Sequence, residues 1–209
     1  MIPKVALMVI TDGRWDYLRD TLESAFEMLD WPFEQCLLVD DSGEDRRMNI
    51  PGWETIQNPK RKGLAGAIQT GWDNLNENIE YVFHLEDDFT FPELVDIGLM
   101  VHQLEGRPDI AQIALLRQPW SPEEHVAGGI INLYRDEFTE EGSLVVHQRL
   151  FTFNPCLYPR WVTRYRADLE AGLTAQLLAD GKRFAYFGGM DDPPRCTHIG
   201  VRRTRGWQL

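Results

Sequence analysis

Apolar positions along the chain alternate between unbroken runs and helical spacing. Residues 5–10 form a continuous apolar run rich in β-branched side chains, which predicts a strand buried on both faces. Over residues 15–29 the apolar residues Leu18, Leu22, Ala25, Phe26 and Leu29 recur at helical spacing, so the first unit reads strand, loop, helix. Residues 36–39 repeat the strand signal and run into Asp40-Asp41-Ser42-Gly43, a composition that favours a turn. A short strand is expected at residues 54–57. A polar loop follows at 58–63, then a helix with Leu64, Ala67, Ile68, Gly71, Trp72 and Leu75 on one face. Residues 81–85 predict a further strand ending in Glu86-Asp87-Asp88; Pro92 is expected to open a helix carrying Leu94, Ile97, Gly98 and Val101, and 110–116 to be the next strand.

This alternation predicts an α/β fold, a Rossmann-like and mainly parallel sheet flanked by helices on both faces. After Gln118 the periodicity loosens, and loops with a small antiparallel element are expected, with strands at 144–148 and 150–153. Residues 161–179 read as one helix, 183–187 as a strand, and the remainder as coil. At 209 residues a single domain over 1–209 is expected, with a ligand-binding half at 1–118 and a second half at 119–209.

Charge then narrows the function. A formal net charge of -12 disfavours a nucleic-acid binder, because neutralising phosphates needs a basic surface. Any bound anion must be gathered locally, and Lys60-Arg61-Lys62 and the C-terminal Arg195, Arg202, Arg203 and Arg205 are the local basic clusters. Cys36, Cys156 and Cys196 are odd in number and lack C-x-x-C spacing, which indicates neither a disulfide framework nor a zinc cluster and fits a reducing cytoplasm. The apolar run at 5–10 is too short for a signal peptide or a membrane span.

In an open α/β sheet, ligands bind beyond the carboxyl ends of the strands. Thr11, Asp12 and Arg14 follow the first predicted strand, Asp40 and Asp41 the second, and Glu86, Asp87 and Asp88 a later one. Three consecutive carboxylates between apolar residues repel one another unless a cation holds them. Oxygen donors suit Mg²⁺ or Mn²⁺, which bind one or two carboxylates and fill their shell with water and substrate phosphate. The triplet therefore points to a divalent ion on a diphosphate; the plainer reading is an acidic turn with Asp88 or Thr90 capping.

Residues 5–14, the Val39-Asp40-Asp41-Ser42 turn, the 58–66 loop and the Glu86-Asp87-Asp88 triplet together resemble the nucleotide-binding half of GT-A glycosyltransferases, particularly the family-2 group. The triplet also resembles the metal motif of the Golgi N-acetylglucosaminyltransferases. That resemblance implies Asp88 as metal ligand, with Asp87 and Glu86 beside the sugar or ribose. It implies Thr11, Asp12 and Arg14 lining the nucleotide, Asp41 with Asp40 at the base, and Lys62 and Gly63 next to it. His198, in Thr197-His198-Ile199-Gly200, resembles the late histidine that completes the metal shell in many GT-A enzymes. The arginines after it, Arg202 and Arg205 among them, are then expected to close over the diphosphate.

Two departures stand out. The first loop is Thr11-Asp12-Gly13-Arg14 where the family has a Pro-x-Tyr-Asn-like sequence, and Glu170 falls where the family's catalytic base is usually Asp. An inverting transfer needs one carboxylate to take the acceptor hydroxyl proton, and Glu170 is chemically adequate; Asp191 and Asp192 are its rivals. Phe153, Tyr158, Trp120, Trp161 and Trp207 are aromatic candidates for the acceptor side. The expected activity is sugar transfer from a nucleotide diphosphate sugar, a UDP-sugar by preference, to a hydroxyl on a protein, glycan or small molecule. Two alternatives stay open: a catalytically silent nucleotide- or sugar-binding module, and a sugar nucleotidyltransferase, for which the Gly-rich phosphate loop is missing.

Overall fold

The structure, a computed structural model, describes residues 2–45, 48–166 and 168–200. Eleven strands are described: β1 (Val5–Thr11), β2 (Gln35–Asp40), β3 (Glu54–Gln57), β4 (Tyr81–Glu86), β5 (Phe89–Thr90), β6 (Ile110–Ala114), β7 (Phe138–Glu141), β8 (Leu144–His147), β9 (Cys156–Pro159), β10 (Arg183–Phe187) and β11 (Thr197–His198). Nine of them form one sheet in the order β3-β2-β1-β4-β9-β6-β10-β8-β7, and β5 and β11 pair separately. The helices are α1 (Trp15–Met28), α2 (Gly63–Asp73), α3 (Ile97–Glu105), α4 (Pro122–Ala127), α5 (Ile130–Leu133) and α6 (Glu170–Ala179).

The α/β class holds, but the sheet is mixed. β3, β2, β1 and β4 are mutually parallel, whereas β9 runs antiparallel between β4 and β6, and β8 and β7 run antiparallel beyond β10. The antiparallel strands thus belong to the main sheet, and β9 carries the second half of the chain into the middle of the first. β9 falls in the segment expected to line the acceptor cleft. Cys156, Leu157 and Tyr158 are instead fully buried core, as is Phe153. The strand expected at 150–153 does not form: Phe151 and Thr152 give their backbone N–H groups to the side chains of Thr174 and Gln112 rather than to a ladder.

Each sheet face packs on helices, because successive strand residues point to opposite sides. Val5, Leu7 and Val9 share one apolar layer with Leu18, Leu22 and Ala25 of α1 and with Ile97, Met100 and Val101 of α3. Ala6, Met8 and Ile10 share the other apolar layer with Ala67, Ile68 and Trp72 of α2 and Leu173 and Leu177 of α6. Gly71 sits on the buried face of α2, where a Cβ would collide with the Met8 sulfur, so the missing side chain lets α2 lie close on β1. Pro92 does not open α3. That helix starts at Ile97 behind Asp96, whose carboxylate accepts from Leu99 N, and Leu94 stays exposed. The single helix expected at 161–179 is divided into a 3-10 turn, Arg160–Arg164, and α6; Tyr165 between them is extended.

His84, on β4, is fully buried with no hydrogen-bond partner on either ring nitrogen among the described residues, packed against Phe153 and Tyr158. Burial pushes its pKa down to about 3. In the unfolded chain the same imidazole titrates near 6.5, so above that pH neither state is protonated there. As pH falls below about 6.5 only the unfolded chain takes up the proton, and stability drains away until the folded group titrates. The loss is at most about 1.4 kcal/mol per pH unit. His84→Leu is expected to raise the unfolding free energy at pH 7.5 by about 1 kcal/mol, since a buried unpaired polar group leaves. It should also flatten the pH 6.5 to 5 slope by about 1 kcal/mol per unit on average relative to the parent. Urea unfolding at several pH values checks both; parallel slopes would count against this account.

Candidate active site

The register of the parallel strands gathers the site. Thr11 lies opposite Asp40, and Ile10 opposite Glu86, so the carboxyl ends of β1, β2 and β4 stand side by side. The chain leaves β1 through Gly13, which at φ +96 turns where a Cβ would strike Ser42. That turn brings Arg14 back over the end of β4. Its guanidinium donates to Asp12 Oδ1 (3.0 Å), to Asp88 Oδ2 (2.5 Å) and to Asp87 Oδ1. Thr11 Oγ1 donates to Asp87 Oδ2 at 2.6 Å.

Burial raises the Asp87 carboxyl to about 7, with Arg14 pulling against it. Asp88 behaves oppositely: burial would raise it, but the hydrogen bond and charge of His198 and the Arg14 guanidinium together hold it below the usual carboxylate range. Asp12 is raised by burial. The three aspartates offset Arg14's own desolvation and raise its pKa. Glu86, the last residue of β4, is hemmed in by protein yet keeps some solvent-accessible surface. Burial first, then the charges of Asp88, Glu170 and Asp87, push its carboxyl well up.

β5 and β11 place His198 opposite Phe89, with Nε2 at 3.1 Å from Asp88 Oδ2. Gly200 passes so near Asp88 that a Cβ there would overlap the carboxylate. Asp88 Oδ1 and His198 Nδ1 are buried without a hydrogen-bond partner among the described residues. Buried polar atoms are almost always satisfied, so these two groups call for a further partner, and a carboxylate oxygen and an imidazole nitrogen are donors that suit a divalent ion. No group of three or more His, Cys, Asp or Glu residues is arranged to hold an ion among the described residues. Mg²⁺ or Mn²⁺ would therefore take the rest of its shell from water and phosphate, as these ions commonly do.

The second strand end is built differently. Asp41 Oδ1 accepts from Asn58 Nδ2 (2.8 Å) and Lys62 N (2.9 Å), and Oδ2 accepts from Gly63 N (2.9 Å), so Asp41 holds the amino end of α2. Asp40 Oδ1 accepts from Ser42 N at 2.8 Å. Lys62 Nζ reaches Thr70 Oγ1, while Arg61 bonds the backbone oxygens of Ser42 and Asp12. The basic loop is thereby tied to the first two strand ends.

Glu170 opens α6. Its Oε1 accepts from Thr152 Oγ1 and Phe153 N, each at 2.7 Å, and its charge is felt by Glu86, Cys156 and Tyr186. Asp192 Oδ2 accepts from Gly189 N and from Arg195, both at 3.0 Å. Asp191 is exposed and paired with Arg135. Among the aromatic candidates, Phe153 and Tyr158 are core, Trp161 lies under Lys182, and Trp120 is 42% exposed beside His198. Arg202, Arg203, Arg205 and Trp207 lie outside the described residues. The sequence reading missed Gln118, Thr152 and Gly200, polar or small residues that matter through what they hold in place. Each stood within two residues of a recognised position, His198, Trp120 or Phe153, and none carried a signal of its own.

The profile of glycosyl transferase family 2 matches residues 7–139, more than half of the chain and all three strand ends. The chain belongs to glycosyl transferase family 2. This is an enzyme family of the glycosyl-transferring class, EC 2.4, and the sheet is the GT-A fold. Among solved structures the family member is similar to GalNAc-T7 with UDP, GalNAc and Mn²⁺, at TM-score 0.66 and 11% identity, over 99% of this chain and 45% of that one. It is likewise similar to the mannosyltransferase PcManGT from Pyrobaculum calidifontis in complex with GDP-Man and Mn²⁺. There the TM-score is 0.61 and the identity 14%, over 99% of this chain and 59% of that one. This family-2 chain thus spans about half the length of those structures, and at such identities the likeness shows the fold. No curated protein sequence matches the chain. No helix among the described residues is long and apolar enough to cross a membrane.

Proposed function

We propose that this chain transfers a sugar from a nucleoside diphosphate sugar, a UDP-sugar by preference, to an acceptor hydroxyl with inversion. The observation that carries the reading is the approach of His198, from β11, to Asp88 just beyond the carboxyl end of β4, with Asp88 Oδ1 and His198 Nδ1 buried and without a hydrogen-bond partner among the described residues. Asp88 and His198 would hold Mn²⁺ or Mg²⁺. When bound, that ion supplies positive charge for the diphosphate leaving group.

The protein's own groups do the remainder. Arg14 sits among Asp12, Asp87 and Asp88 as a fixed cation on the path of the diphosphate, and Thr11 fixes the Asp87 carboxylate beside it. Asp40 and Asp41 with Lys62 and Gly63 form the wall for the base, and Asp41 keeps that wall rigid through α2. Glu86 lies within the electrostatic reach of Asp88, Asp87 and Arg14 on one hand and of Glu170 on the other. Glu170 is favoured over Asp191 and Asp192 as the base, because those two are each held in an ion pair, with Arg135 and Arg195, whereas the Glu170 charge acts on Glu86. One Glu170 oxygen is anchored, leaving the other to accept the hydroxyl proton.

One observation favours the silent-module reading: Arg14 already supplies a positive charge to the Asp87 and Asp88 pair. Thermal unfolding with UDP, GDP, dTDP and CDP, with and without Mn²⁺, tests the reading, and GDP belongs in the set because PcManGT carries GDP-Man. The donor nucleotide at a hundredfold excess over its Kd is expected to add about 2.7 kcal/mol, or roughly 5–11 °C, only when Mn²⁺ is present. Stabilisation without Mn²⁺ and without nucleotide release from any sugar donor would favour the silent module; no stabilisation at all would remove the donor site.

A further inference from the structure

His198 reaches Asp88 from a strand only two residues long, too short for its own ladder to fix an imidazole. On one side β11 pairs with β5, and Ile199 N donates to the Asp88 backbone oxygen at 2.8 Å. On the other side no strand pairs with β11 among the described residues. A side chain takes its place: Gln118 Oε1 accepts from His198 N at 2.9 Å, and Gln118 Nε2 donates to His198 O at 2.8 Å. The carboxamide meets both polar groups of one residue, as a neighbouring strand would. Just before it, Arg195 N donates to Leu116 O at 2.7 Å, so the two segments run together up to Gln118. Trp120 meets the imidazole edge-on at 4.3 Å, and Phe89 lies at 4.9 Å from it.

We propose that Gln118 is a positioning residue of the donor site, fixing the His198 backbone so that the imidazole is presented to Asp88 before any nucleotide arrives. The proposal rests on the reading of Asp88 and His198 as the residues that hold the metal. It differs from a site completed only when the C-terminal segment closes over the donor, because here the histidine is pinned from both sides by described parts of the fold. A double hydrogen bond to the backbone sets where the Cα sits; the two ring contacts then restrict the side chain.

The test is Mn²⁺ binding to the full chain without nucleotide, followed by electron paramagnetic resonance, for the parent, Gln118→Ala, Gln118→Met, His198→Ala, Asp88→Asn and the double variant Gln118→Ala with His198→Ala. Gln118→Ala and the closer-sized Gln118→Met are each expected to weaken Mn²⁺ binding about tenfold, the lower end for partners that orient a ligand. Their unfolding temperatures should stay within a few degrees of the parent. The double variant should bind no more weakly than His198→Ala alone, since Gln118 acts only through that histidine. Parent-like binding by both Gln118 variants, with binding lost in Asp88→Asn and His198→Ala, overturns the proposal and leaves the metal reading standing. A double variant weaker than His198→Ala by the full Gln118 factor also overturns it, because the effect would then be general to the scaffold. Parent-like binding by Asp88→Asn and His198→Ala would remove the metal reading and the proposal with it.

Discussion

Asp88→Asn is expected to lower the rate of donor turnover by about a thousandfold, roughly 4 kcal/mol of transition-state stabilisation. Asn keeps the volume that Gly200 was shaped around and leaves an oxygen to face Arg14, so the packing at this corner survives. What leaves is the charge of a carboxylate that His198 and Arg14 hold ionised against its burial. With one charged ligand gone and no third acidic, His or Cys ligand grouped with it among the described residues, metal affinity has little left to rest on. Release of nucleotide from the preferred donor, followed at saturating Mn²⁺, reads the loss. The Mn²⁺-dependent thermal shift should vanish in the same variant. A variant that keeps both the shift and the rate would move the metal elsewhere and with it the reading of the whole corner.

The first half of the fold was legible because each element there makes its contacts by a pattern of one period. The run at 5–10 has no polar member to place outside, so it reads as a central strand, and β1 is buried throughout. The strand ends and their carboxylates followed directly, since the parallel register that aligns Thr11 with Asp40 and Ile10 with Glu86 is what an alternating β/α chain imposes. β9 was not legible. Four residues ending in proline give no period, and their burial comes from two neighbours, β4 and β6, that are distant in sequence. The broken helix near 165 was hidden for the converse reason: apolar residues recur at helical spacing on both sides of an extended Tyr165, and spacing does not register a change of direction between them.

The site shows the same division. Residues carrying charge at strand ends were found from the sequence, while those that orient them were not, because an amide such as Gln118 or a hydroxyl such as Thr152 is common anywhere. The excess of acid on the chain is also easier to place with the structure in hand. Arg14 is surrounded by three aspartates and Arg61 bonds backbone oxygens of the same loops, so the first of these cations organises the carboxylates and the second the loops that carry them. An incoming diphosphate therefore meets a corner in which negative charge is already partly neutralised, which is the local gathering of charge that a net -12 chain requires.

Glu170→Gln is expected to lower the chemical rate by about two to four orders of magnitude, the range for removing a positioned general base. Mn²⁺ binding and donor affinity should be left near the parent's. The substitution is informative because it spares the anchor. The side-chain oxygen of Gln can still accept from Thr152 Oγ1 and Phe153 N, so α6 and the 151–153 segment keep their join, and only the unanchored oxygen is exchanged for an amide nitrogen that takes no proton. Rapid-quench measurement of a single turnover, with water or an added hydroxyl compound as acceptor, separates this step from product release. Asp192→Asn and Asp191→Asn are the controls: the first should loosen the turn that accepts from Gly189 and Arg195, the second should free Arg135, and neither should change the chemical step by more than a few-fold. If Asp192→Asn instead carries the large loss while Glu170→Gln keeps the parent rate, the proton goes to the turn at 188–193. Glu170 is then a residue that joins α6 to the strand layer, and its charge serves to raise Glu86 beside the donor.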